Sequence, residues 1–203
     1  MTPVLDVEVI DDPATAAVAL EPVRSRLLSE LAQPASAATL ATRLGIARQK
    51  INYHLRALES HKLICIAEKR KWGGLTERLM QASAASYVVS PSAMGKAATD
   101  PERNADRLSA GYLVSLAARV VREVGVLWRR SQELDKRLPT LSIDSEIRFR
   151  SATDRAAFTQ ELTKAVTSLV ARYHDASASS GRWHRLVLLA HPLPQETKNG
   201  GTT

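Results

Sequence analysis

Gln49, Asn52, Tyr53 and Arg56 recur at i, i+3, i+4 and i+7, the spacing that lines up one face of an α-helix. Together they carry the chemistry to read the edges of base pairs. Gln and Asn can bond adenine with two hydrogen bonds, Arg can do the same to guanine, and Tyr offers a ring for thymine methyls and a hydroxyl for phosphate. Arg48 and Lys50 flank the start of the same run and are better suited to backbone phosphate than to bases. A second basic cluster follows at Lys69, Arg70, Lys71 and Arg78, around Trp72-Gly73-Gly74, a composition that suits a hairpin tip reaching phosphates. Yet any amphipathic helix has a polar face, and a charged turn is ordinarily just solvated. These side chains acquire meaning from the elements that position them.

Ile51, Leu55 and Leu58 fall at i, i+4 and i+7 of the same segment and predict a helix over 48–60 that turns its aliphatic edge to the core. Upstream, Asp12-Pro13 opens a helix over 13–20 after an alternating stretch, Val4 to Ile10, and Pro22 opens another to about Ala32. Ser36 caps a short helix that Gly45 ends, with Ile46-Ala47 as the turn. Ala47 is a poor cap for the helix that follows, weakening its start by about 1 kcal/mol, with Arg48 or Gln49 available to compensate. Strands are expected at 62–67, 77–82 and 86–89, the basic glycine-containing tip lying between the first two. Trp72 at that tip is expected to pack on the domain rather than face water. The order helix, helix, short helix, turn, helix, strand, basic tip, strand is a winged helix-turn-helix, with a recognition helix at 48–60 and a wing at 69–78.

Here the sequence resembles a known family. Residues 24–89, most specifically Asn52-Tyr-His-Leu-Arg-Ala-Leu58 followed by a polar break and Leu63-Ile64, look like the DNA-binding domain of ArsR-type bacterial repressors. The resemblance implies that the helix enters the major groove of a double-stranded operator. It would also allow a metal sensor, but the ligands are lacking in pattern. Cys65 is the single cysteine, the five histidines are scattered, and only Tyr173-His174-Asp175 with His184 and His191 could converge. No metal and no cofactor are expected. His54 lies about 60° off the aliphatic edge and is read as a half-buried packing residue, and Cys65 as a small buried hydrophobe.

The 203 residues hold 28 basic and 21 acidic side chains, a formal net charge of +7. Residues 24–80 alone carry eleven bases against four acids, so the excess coincides with the helix-turn-helix pattern and favours a polyanionic partner. One cysteine excludes an extracellular disulfide scaffold, and neither a leader pattern nor an apolar run of ~18–20 residues appears. A cytoplasmic protein with no membrane contact is expected. Nucleophile-elbow, phosphate-loop and paired-carboxylate motifs are missing too, so no catalytic residues are assigned and the chain is not expected to be an enzyme.

Residues 90–101 read as a linker, dividing the chain into 1–92 and 93–203. The second part predicts a long helix from about Pro101 to Leu138, a strand at 141–149, a helix to about His174 launched by Ser151-Ala-Thr-Asp154, a strand at 183–190 and a frayed tail over 192–203. The fold class is therefore α+β: a winged helix-turn-helix followed by a long helix and a small strand-helix-strand layer. The apolar stripe of the long helix favours a homodimer over plain core packing, and a dimer is what two-fold-related half-sites require. The small layer could hold a small-molecule effector against Trp128, Phe149, Phe158 or Trp183, though these aromatics suit plain packing better. Ranked below the regulator are a winged helix used for protein–protein contact and an enzyme acting through the C-terminal layer.

Overall fold

The computed structural model describes residues 4–72 and 75–194. The glycine tip of the expected wing, the packing expected of Trp72 and most of the expected frayed tail lie outside the described residues and side chains. Two compact units divide the chain, one ending at Leu138 and the other beginning at Pro139.

The first unit opens with β1 (Leu5–Ile10), followed by α1 (Pro13–Leu20), α2 (Pro22–Glu30), α3 (Ala37–Leu44) and α4 (Arg48–Ser60). Local chemistry sets each helix start. Asp12 accepts from the Thr15 N–H at 2.7 Å, Glu21 from the Arg24 N–H at 3.0 Å and Ser36 from the Thr39 N–H at 3.2 Å, each satisfying a donor that has no intrahelical partner. Gly45 ends α3 at φ 64°, the left-handed turn that a Cβ would strain, and this tight corner swings the chain directly into α4. Leu27, Leu31, Leu40, Ile51 and Leu58 meet beneath the helices, each fully buried.

β2 (Ile64–Trp72) and β3 (Leu75–Ala82) form an antiparallel hairpin with Lys69 opposite Arg78 and Arg70 opposite Glu77. The ladder slips between Ile66 and Glu68, which adds local twist. β4 (Ala84–Val89) joins no strand of that hairpin. It pairs in parallel with β1, from Leu5 beside Ala84 to Ile10 beside Val89.

Short 3₁₀ turns at Pro91–Ala97 and Pro101–Arg103 lead into α5 (Ala110–Glu133). The long helix is thus shorter than the apolar stripe predicts. Ser109 caps its start by accepting from the Tyr112 N–H, and past its end Asp135 turns left-handed at φ 47°. Within the first unit α5 packs back on β1. A Cβ on Gly125 would sit 2.8 Å from Cγ1 of Val9, and Arg129 donates to the Val9 carbonyl at 2.8 Å and reaches Asp11 at 3.3 Å.

The second unit holds α6 (Ala152–Tyr173), capped by Ser151, which accepts from the Asp154 N–H at 3.0 Å. The strands expected at 141–149 and 183–190 are not formed: both segments lack sheet pairing. Alternation predicts which face of a strand turns inward, but a ladder also needs a partner edge, and neither segment serves the other. The α+β class stands on the first unit's helices and its two small sheets.

Candidate nucleic-acid interface

α4 is bound to the fold along one edge only. Ile51, Leu55 and Leu58 are buried in the core, as is His54. Around the opposite edge Arg48, Gln49, Lys50, Tyr53 and Arg56 are exposed, Tyr53 to 67%, while Asn52 is half-buried. No side chain caps the helix start at Ala47, so no cap side chain satisfies the first N–H groups of α4. Free donors with cations beside them at a helix N-terminus favour an anion there. The stripe that periodicity isolates is therefore brought to one open face, except for Asn52 at its margin.

The hairpin arranges its cations differently. Lys69 and Lys71 are exposed, whereas Arg70 makes a two-pronged bond to Glu68, at 2.9 and 3.0 Å. That pairing holds the Glu68 carboxyl below its usual range and pushes the Arg70 guanidinium up, through the shared hydrogen bonds first and charge second. Arg78 turns back from β3 onto Glu59 of α4. Contact with phosphate by either arginine means exchanging a solvent-exposed carboxylate, which holds it weakly. Sequence reasoning missed both carboxylates. The Glu68–Arg70 pair was legible as i, i+2 on one strand face; the Glu59–Arg78 pair joins positions whose proximity depends on how the hairpin folds back on α4.

His54 departs from its expected half-exposed role. It is only 5% exposed and neither ring nitrogen has a hydrogen-bond partner among the described residues. Burial pushes its pKa down; Glu21, whose carboxylate lies 3.6 Å from Nδ1, pulls it up but less strongly, and Arg24 and Lys50 add to the lowering. The ring is thus neutral in the folded protein near pH 7. Cys65 is half-buried rather than buried. At the other end of α4, His61 Nδ1 lies 3.0 Å from the Thr15 hydroxyl, which itself bonds Asp12 at 2.7 Å. This chain of contacts ties the helix end to the start of α1.

Among the described residues, no three metal-ligating side chains converge, and no helix is long and apolar enough to cross a membrane.

Residues 19–64 match a family model described as a helix-turn-helix domain. The match runs from the end of α1 through α4 to the first residue of β2, so it contains the α3–turn–α4 unit built above. This part of the chain is similar to helix-turn-helix domains, in keeping with the ArsR-type resemblance of its sequence. Among solved structures, the chain is similar to one titled an ArsR-like transcriptional regulator from Rhodococcus sp. RHA1, with 21% identity over 75% of this chain and 89% of that one, at a TM-score of 0.30. No curated protein matches.

Proposed function

We propose that the protein is a cytoplasmic, dimeric transcriptional regulator that reads duplex DNA by laying α4 in the major groove. The observation that carries this reading is the two-sided character of α4. Three aliphatic side chains hold it in the core while Gln49, Tyr53 and Arg56 stand free on the opposite edge, inside a helix-turn-helix frame. Gln49 and Arg56, with Asn52 at the margin, supply base-edge chemistry. Arg48 and Lys50 at the uncapped helix start supply phosphate contacts, joined from the hairpin by Lys69, Lys71 and, after exchange of their carboxylates, Arg70 and Arg78.

Dimerisation is supported by α5. Ser115, Ala118 and Gly125 are buried, Gly125 against Val9 of β1 and Ser115 bonded to Thr99 and Asn104, while Leu127 and Leu134 further round the helix are 50% and 55% exposed. An apolar stripe turned away from the chain's own sheet suits pairing with the same helix of a second copy. Phe149 and Phe158, considered above as lining for an effector, have their rings 5.3 Å apart, a packing contact; the proposed function needs no ligand.

Selection of bound fragments from random duplexes tests the proposal. An inverted repeat with half-sites about 10 base pairs, or a multiple of that, apart is expected. Arg56→Ala and Gln49→Ala should each weaken the selected site by roughly 1–3 kcal/mol, at the base each one reads, with unchanged circular dichroism. Recovery of no common sequence, or equal loss on random duplex, would exclude base reading by this helix.

A further inference from the structure

In the second unit no described residue from 139 to 194 is buried, although Leu141 and Ile143 are 82% and 80% exposed and Trp183 is 83% exposed. Such a unit has no core of its own, and water-exposed apolar surface on this scale marks a contact face. Its first segment has the alternation of a strand with one apolar side, Ile143, Ser145, Ile147 and Phe149, and one charged side, Asp144, Glu146, Arg148 and Arg150. The order of those four charges, two acidic then two basic, is self-complementary.

A strand paired with its own copy about a two-fold axis runs antiparallel, and residues opposite each other share a face. Keeping apolar faces together leaves few registers. Centring on Glu146 or Arg148 sets like charges against each other, and a parallel two-fold pair sets every residue against itself. Centring on Ile147 does neither. Asp144 then faces Arg150, which exchanges the exposed Asp154 carboxylate 3.4 Å away in its own chain, Glu146 faces Arg148, and Ile147 faces Ile147, so every charge of the segment meets its opposite. The pairing spans Ile143 to Ser151 and ends where Ser151 caps α6. Phe149 already rests against Phe158 of α6, ring centres 5.3 Å apart, so both copies of α6 fall on the apolar side of the new ladder. Two strands backed by helices meet the minimum for a stable sheet, which a lone strand does not.

We infer that residues 143–151 form an intermolecular antiparallel sheet with the same residues of a second copy, centred on Ile147 and sorted by Asp144–Arg150 and Glu146–Arg148 pairs across the two-fold axis. The inference rests on the dimeric reading above and adds a second, register-specific contact to it.

Opposed residues in such a ladder have Cα atoms about 4.5–5.5 Å apart, within disulfide reach. Residues at 145 lie four positions off register, about 14 Å apart. In a full-length Cys65→Ser background, Ile147→Cys should therefore crosslink to near completion under mild oxidation, and Ser145→Cys should not. Equal crosslinking of the two, or none at 147, would overturn the inference even if duplex selection succeeds; a crosslink at 147 together with failed selection would sink the DNA reading instead. A second experiment leaves Ile147 and Cys65 untouched. Asp144→Arg/Glu146→Arg makes the segment wholly basic, and Arg148→Glu/Arg150→Glu makes it wholly acidic. Mixed after separate purification, the two chains should form heterodimer well above the statistical half. A statistical mixture would place dimer contacts elsewhere and refute the pairing.

Discussion

Replacing His54 by leucine should stabilise the first unit, and most strongly in acid. The ring sits 5% exposed with both nitrogens lacking hydrogen-bond partners among the described residues, and mutational data put such an unmet polar group at roughly 1–3 kcal/mol. Leucine removes that penalty and keeps an apolar body of similar bulk, at a shape cost below about 1.5 kcal/mol. The net gain near neutrality is therefore about 1 kcal/mol, or a rise of roughly 3–6 °C in Tm for a unit of this size. Acid adds to the difference, and its sign follows from the direction of the His54 shift. Burial holds the folded pKa below 6.5, outweighing the pull of Glu21. Between that lowered value and 6.5 the unfolded chain binds the extra proton, so the contribution to stability is complete above 6.5 and is lost as pH falls through this window. Thermal melts of the full-length wild type and His54→Leu, followed by circular dichroism at about pH 8 and about pH 5, bracket the ordinary histidine pKa. The gap between the two proteins should widen at the lower pH. A variant that melts below wild type at both values would mean that the imidazole has partners, and the reasoning from burial would fail.

Three further outcomes are expected. Glu59→Gln releases Arg78 from its ion pair, so its phosphate contact no longer requires exchange of a carboxylate; affinity for duplex, measured by fluorescence anisotropy at several salt concentrations, should rise by up to about 1 kcal/mol with the dependence of log K on log salt unchanged. Gly125→Ala places a methyl 2.8 Å from Val9 Cγ1 and 2.9 Å from Val9 Cβ; overpacking of about 1–3 kcal/mol against about 1 kcal/mol of added helix propensity leaves a net loss in urea denaturation, which Val9→Ala in the same chain should relieve only in part because the Cβ contact remains. Ala47→Ser supplies the side-chain cap that α4 lacks and should raise stability by about 1 kcal/mol in the same assay.

The helix-turn-helix was legible because its signals are local. Ser36 and Gly45 bound α3 through hydrogen bonds and a φ angle set by neighbouring residues, and Ile51, Leu55 and Leu58 mark the buried edge of α4 by spacing alone. The open stripe at Gln49, Tyr53 and Arg56 follows from the same geometry, since whatever lies opposite an anchored edge faces away from the core. Local pattern did not reach His54, whose burial depends on α2 bringing Glu21 and Arg24 against it.

What only the tertiary structure decided was pairing between distant segments. The parallel match of β1 with β4, the approach of α5 to Val9 at Gly125 and the turn of Arg78 onto Glu59 all join positions far apart in the chain. Periodicity tells which side of an element is apolar; it does not tell which other element covers that side. Segments 141–149 and 183–190 show this limit most plainly. Their residues alternate as strands do, yet a strand exists only through hydrogen bonds to a neighbour, and among the described residues these two have none.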